Sequence, residues 1–200
     1  MSNVRRHQMD SADNLARLLP HRLDAVAIAV LMLRFRLKWQ EAKPMQIFVE
    51  GRLQIEGRTT LFTNPAIEVG VLHARALLEF IGLKVSAGKL VQATAGSRQL
   101  DDAAIEKLVS SAGQLPLVTP EEAGAIHPAN PEAAKQALAR VITAAHKGLA
   151  HSSATYFASP IDAQEILLAL QLTQQLVERH VYAPLGMERP PPPIEARVRE

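Results

Sequence analysis

Arg140, His146, Lys147 and His151 are the residues whose types and spacing best suit chemistry. Arg140-x5-His146 and Lys147-x3-His151 each place a cation within one to two helical turns of an imidazole. An imidazole beside a fixed cation is sufficient to cleave RNA without metal. The imidazole takes or gives the proton of the 2′-hydroxyl, and the cation holds the charged phosphate. The same residues also have a purely structural explanation, because basic groups in the last turns of a helix complement its dipole.

A second set is Glu68, His73 and Arg75. At about 100° per residue, Glu68, Leu72, Arg75 and Glu79 fall on one helical stripe, where Arg75 can pair with Glu79 and reach toward Glu68. His73 lies on the opposite arc among Ala66, Val69, Leu77 and Phe80, beside Gly70, which would let a neighbouring helix come close. It reads either as a hydrogen-bonded core histidine or as the centre of a buried polar site with Glu68 and Arg75.

Other chemistries lack their residues. There is no Cys, which excludes disulfides, thiolate zinc sites, iron–sulfur clusters and a Cys nucleophile. Glu68 and His73 have the wrong spacing for a carboxylate-bridged metal pair, and the fourth helix has Glu165, Glu178 and His180 but no Glu-x-x-His. No phosphate-cradling glycine loop or dinucleotide fingerprint occurs. Ser152 and Ser153 next to His151 do not make a triad, which needs spatial rather than sequential adjacency. No metal and no cofactor is expected.

The elements that must position these residues come next. The 200 residues are 48% hydrophobic and 21% charged, the balance of a folded chain. Aromatics at 4% are too few for base-stacking platforms, and a net charge of +2 is too small to imply nucleic acid by itself. Residues 11–19 suit a short helix, with Pro20 permitting a break. Two adjacent apolar stripes predict a wide-faced helix over 21–42. Its apolar run Ala25–Leu33 is too short to cross a membrane, so the chain is expected to be soluble and cytoplasmic.

Residues 44–60 change period, with IFV and LQI flanking Glu50-Gly51-Arg52, and a hairpin and an irregular connector both remain open. Asn64-Pro65 opens a helix that Gly82 closes. Residues 84–100 read as a flexible loop, and 102–111 as a short helix capped by Asp101 or Asp102. Thr119-Pro120-Glu121-Glu122, Asn130-Pro131-Glu132 and Ser159-Pro160-Ile161-Asp162 are three further helix starts. The prediction is an all-α bundle of four long helices (21–42, 64–81, 131–151, 160–182) with short extra helices and room for a small β-hairpin near 46–57. It forms one domain over 11–185, followed by a flexible proline-rich tail at 186–200.

The segment Glu68–Ile81, EVGVLHARALLEFI, resembles the second core helix of a group of small bacterial proteins. The Asp101-Asp102 pair and the stretch HKGLAHSS at 146–153 follow in the same order. That group is similar in layout to HEPN (higher eukaryote and prokaryote nucleotide-binding) domains. The resemblance spans roughly residues 65–180. It implies an all-α fold, a homodimer, and metal-independent RNase activity through Arg-x4–6-His. Arg140-x5-His146 has that spacing, with Val141 where a polar residue commonly follows the Arg. If His151 is the equivalent histidine, the Arg position falls on His146 or Ala145 and the site is degenerate. Two functions therefore stand open: a helical binding module without chemistry, and an RNase with RNA as substrate.

Overall fold

The apolar stripe that begins at Leu19 continues without interruption through Leu23, Val26, Val30 and Leu33, all buried, and it builds a single helix. This helix, α1 (Ser2–Trp39), has 38 residues and carries Pro20 inside it. The expected break at Pro20 is not there. An interior proline costs a helix about 3 kcal/mol. Leu19 and Leu23 flank it, each 2% exposed, and each contributes about 1.5–3 kcal/mol of burial, so packing outweighs the lost bond. In this computed structural model the described residues are 2–94, 103–149 and 162–191, with side chains described for 19–94, 103–146 and 162–191.

A hairpin follows, β1 (Pro44–Val49) with β2 (Arg52–Arg58). Glu50 and Gly51 form its two-residue turn with φ of 51° and 75°, the left-handed pair that matches strand twist. Helix α2 (Thr60–Phe80) starts four residues before the expected Asn64 cap and holds Pro65 within it. The hairpin base sets this start. Thr59 N–H donates to the Lys43 carbonyl at 2.9 Å, and Lys43 N–H donates to Thr59 Oγ1 at 3.1 Å. Gly82 ends α2 as expected, at φ 99° and donating to Glu79 O.

Two more hairpins occupy the stretch expected to be loop and short helix. They are β3 (Leu83–Ser86) with β4 (Lys89–Gln92), and β5 (Val109–Ser110) with β6 (Gly113–Gln114), preceded by a 3-10 turn at Ile105–Lys107. Asp101 and Asp102 lie outside the described residues. Helix α3 (Pro120–Ala125) has a reciprocal capping box between Thr119 and Glu122. In α4 (Pro131–Thr143), Asn130 Oδ1 accepts from Ala133 N–H at 3.0 Å. Its chain then winds wider into a π-helical segment, Ala144–Leu149. Helix α5 (Ala163–Val177) is capped by Asp162, passes into a second π-helical segment at Glu178–Tyr182, and continues as a final turn, α6 (Ala183–Leu185), through Pro184 to a left-handed Gly186.

The architecture is mixed rather than all-α: helices plus three two-stranded antiparallel sheets among the described residues. The helical periodicity of the long segments hid the short hairpins between them. Helix α2 is central and packs on α1, α4 and α5, with Leu77, Leu78, Leu138, Leu170 and Leu176 fully buried. The β3–β4 hairpin lies on α4, with Leu83 and Leu90 buried. The tail beyond Gly186 begins tied to α5, Arg189 Nη2 donating to Gln174 Oε1 at 3.1 Å.

Candidate functional site

Arg140 stands exposed on α4, and its Nε donates to Glu165 Oε2 of α5 at 3.2 Å. Its charge is therefore shared with a carboxylate before any phosphate arrives. His146 is exposed in the π-helical segment. Lys147 belongs to that segment by backbone, with its side chain outside the described residues, and His151 also lies outside them. Among the described residues the two exposed members are thus Arg140 and His146.

His73 is built into the α1–α2 contact. Arg22 Nη1 lies 3.3 Å from His73 Nδ1, and the His21 ring meets the His73 ring edge-on at 5.3 Å. Burial first, then the charges of Arg22 and His21, lower the His73 pKa below its ordinary 6.5. Glu68 and Arg75 do not join this clasp. Glu68 is exposed, and Arg75 Nε donates to Glu79 Oε1 at 2.8 Å along the same helix. Gly70 serves the close approach expected of it: an added Cβ would lie 2.1 Å from Ala29 Cβ and 3.0 Å from Ala25 O.

Three further features went unread in the sequence. A mixed-charge groove of about 670 Å³ runs between β4, the start of α3, and α4, lined by Lys89, Gln92, Glu121, Glu132, Lys135 and Gln136. Its Lys135 and Glu132 already pair at 2.6 Å. His180, in the second π-helical segment, has a buried Nε2 without a hydrogen-bond partner among the described residues. Burial lowers its pKa, against the pull of Glu122.

The third feature is apolar and exposed. Phe48, Val49, Leu53 and Ile55 on the hairpin, and Leu61, Phe62, Val69 and Leu72 on α2, are eight of the ten large apolar side chains exposed among the described residues. On α2 these four span an arc of about 100°, away from the buried Gly70, Ala74 and Leu77 and bordered by the charged stripe of Glu68, Arg75 and Glu79. The signal was present in the IFV and LQI runs, which alone do not tell buried strands from exposed ones.

Among the described residues no three His, Asp or Glu side chains converge as a metal ligand set, and no helix is long and apolar enough to cross a membrane. No protein-family model, no curated protein and no solved structure matches the chain.

Proposed function

We propose that the chain is a protein-binding module whose docking surface is the β1–β2 arm together with the outer face of α2. The observation that carries this reading is the concentration of exposed apolar side chains between Phe48 and Leu72. Large apolar side chains exposed in number on a folded protein mark interaction sites. The hairpin strengthens the reading, because Ile47–Ile55 and Phe48–Leu53 are cross-strand pairs on opposite faces of an arm that packs little against the helices. A lone two-stranded hairpin is marginal in water. A photo-crosslinker at Phe48 or at Leu72 should form protein adducts, in the purified protein or in cell extract, and one at Lys107 should not. Adducts at none of the three positions, or equal adducts at all, would sink the reading.

A second reading, metal-independent RNA cleavage in a HEPN-like manner, is favoured by one observation: Arg140 and His146 both reach solvent at the end of α4, where a π-helical segment begins. Such segments recur at functional sites. The Arg140–Glu165 pair weighs against it. The expected signature is cleavage of mixed RNA in EDTA by the wild type, abolished by His146→Ala with RNA binding retained. Intact RNA with the wild type, or unchanged cleavage by the variant, removes it.

A further inference from the structure

The β3–β4 hairpin has a free edge that opens into the mixed-charge groove. Its pairs are Leu83–Gln92, Lys84–Val91, Val85–Leu90 and Ser86–Lys89. At its base Ala93 N–H donates to Gly82 O. Gly82 and Ala93 are therefore a hydrogen-bonded pair, and in an antiparallel ladder such pairs alternate with non-bonded ones. Lys84–Val91 and Ser86–Lys89 are then bonded, and Leu83–Gln92 and Val85–Leu90 are not. The N–H and C=O groups of Leu90 and Gln92 point away from β3, and no hydrogen bond meets them among the described residues. Every residue from Gly88 to Gln92 lines the groove. A groove against one face of a strand meets alternate residues, so this one runs along the edge. Helix α3 touches β4 there, and α4 lies beneath the hairpin.

The walls of this slot differ in charge. Lys89, on the strand side, has no carboxylate partner among the described residues. On the helical side Lys135 pairs with Glu132, which leaves Glu121 of α3 without a cation among the described residues. Leu90 is buried, whereas Lys89 and Val91 lie on the opposite face, exposed and half-buried. A third strand along this edge would alternate its side chains in the same way. Those opposite Leu90 and Gln92 turn in toward the helices, and those opposite Lys89 and Val91 turn out. At about 670 Å³ the groove has the volume of a ligand site.

We propose that the slot takes an extended segment of a partner protein, added antiparallel to β4 as a third strand and reading apolar, basic, acidic toward its C-terminus. The site uses none of the residues of the β1–β2 arm and does not rest on that surface. The form of the occupant follows from the backbone. Outward N–H and C=O groups on Leu90 and Gln92, two residues apart, are complemented in full by another strand, each residue exchanging a pair of bonds with the one opposite. Its side chains follow from the walls. An acidic residue beside Lys89 and an apolar one beside Val91 make favourable cross-strand pairs. The basic residue between them turns inward, to the wall that carries Glu121. Leu83 and Leu90 are buried, so the edge is already formed and binding need not order it. Lysines and short strands ordinarily discourage strand addition. With four residues, and walled by α3 and α4, β4 admits one strand of matching charge and not another sheet.

The probe is a short dye-labelled peptide with Val-Lys-Glu at its centre, titrated with the full chain and followed by fluorescence anisotropy. Circular dichroism shows that each variant is folded. The wild type should bind it saturably, and should bind a peptide with Lys in place of that Glu several-fold more weakly. Lys89→Glu should reverse this preference. Gln92→Pro removes one outward N–H, at a place where an edge strand tolerates proline, and should weaken binding about tenfold or more. Gln92→Val keeps the N–H, loses only the side-chain bond to Leu117 O, and should bind as the wild type does. No saturable binding by the wild type, equal binding by Gln92→Pro and Gln92→Val, or an unchanged preference in Lys89→Glu would overturn the proposal. Sedimentation velocity covers the other occupant. A wild-type dimer that dissociates in Gln92→Pro but not in Gln92→Val would give the slot to a second copy and overturn the partner segment.

Discussion

A guanidinium only donates hydrogen bonds, so the contact between Arg22 and Nδ1 of His73 assigns the imidazole proton to Nε2. Protonating Nδ1 would turn that contact into a repulsion, in the same direction as the burial that already lowers the His73 pKa. His180 is lowered too, by burial first. For both, the unfolded chain takes up a proton near 6.5 and the folded chain only at lower pH. The unfolded state then binds more protons in that window, so stability is fully present above about pH 6.5 and is lost as pH falls through the folded values. His73→Gln keeps an acceptor for Arg22, and His180→Gln removes the second group. Each should flatten the decline of the urea midpoint between about pH 7 and 5. A wild-type midpoint that is flat there, or an unchanged slope in both variants, would contradict the assignment. Glu122 acts in a lower window, since the Thr119 backbone N–H holds its pKa below 4.5, and its contribution is lost only as pH falls through that depressed value. Thr119→Ala removes the hydroxyl that accepts from Glu122 N–H and should cost about 1 kcal/mol in chemical denaturation. No measurable loss would mean that α3 is held by packing alone.

At the scale of elements, the α1–α2 crossing is closed by Gly70. Alanine there would gain about 1 kcal/mol of helix propensity. Its Cβ would sit 2.1 Å from Ala29 Cβ, with the Ala25 carbonyl at 3.0 Å, so two backbones must part and overpacking costs about 1–3 kcal/mol or more. Gly70→Ala should therefore destabilise by up to about 2 kcal/mol, and adding Ala29→Gly should recover part of the loss in urea melts, a coupling absent between distant sites. Simple additivity would refute the contact. The helices that carry this core were legible in their apolar periods, and so were the starts at Thr119 and Asn130, because those signals are local. Pro20 and Asn64-Pro65 misled for the opposite reason. Both are strong local stop or start signals, overridden by Leu19 and Leu23 in one case and by the Thr59–Lys43 bonds in the other. The β3–β4 hairpin escaped notice because its turn is Ala87-Gly88, with φ of 49° and 78°, and Ala is a poor residue for a left-handed position. Of the candidate site, the residue types on α4 were readable, but the Arg140–Glu165 partnership joins positions 25 apart and follows only from packing. The clasp of His73 by Arg22, across 51 positions, has the same origin.

At the scale of the whole molecule, stability is distributed unevenly. Helix α2 touches the three other long helices, and its Leu77, Leu78 and Ile81 are fully buried, so its amides should exchange with solvent only on global unfolding. The two larger hairpins differ from each other. The β3–β4 pair is anchored by buried Leu83 and Leu90, Ala93 N–H donates to Gly82 O at 2.7 Å, and Gln92 Nε2 donates to Leu117 O at 2.9 Å. The β1–β2 arm has exposed apolar residues and is pinned at its base by Thr59, Lys43 and Arg58, whose Nη2 donates to Ala42 O at 2.8 Å. In dilute protein the arm should therefore open by local fluctuation and exchange faster than β3–β4. Hydrogen exchange followed by mass spectrometry separates the two hairpins: peptides covering 44–58 should exchange faster than peptides covering 83–92. Exchange in 44–58 as slow as in 83–92 would show an arm held as firmly as the anchored hairpin.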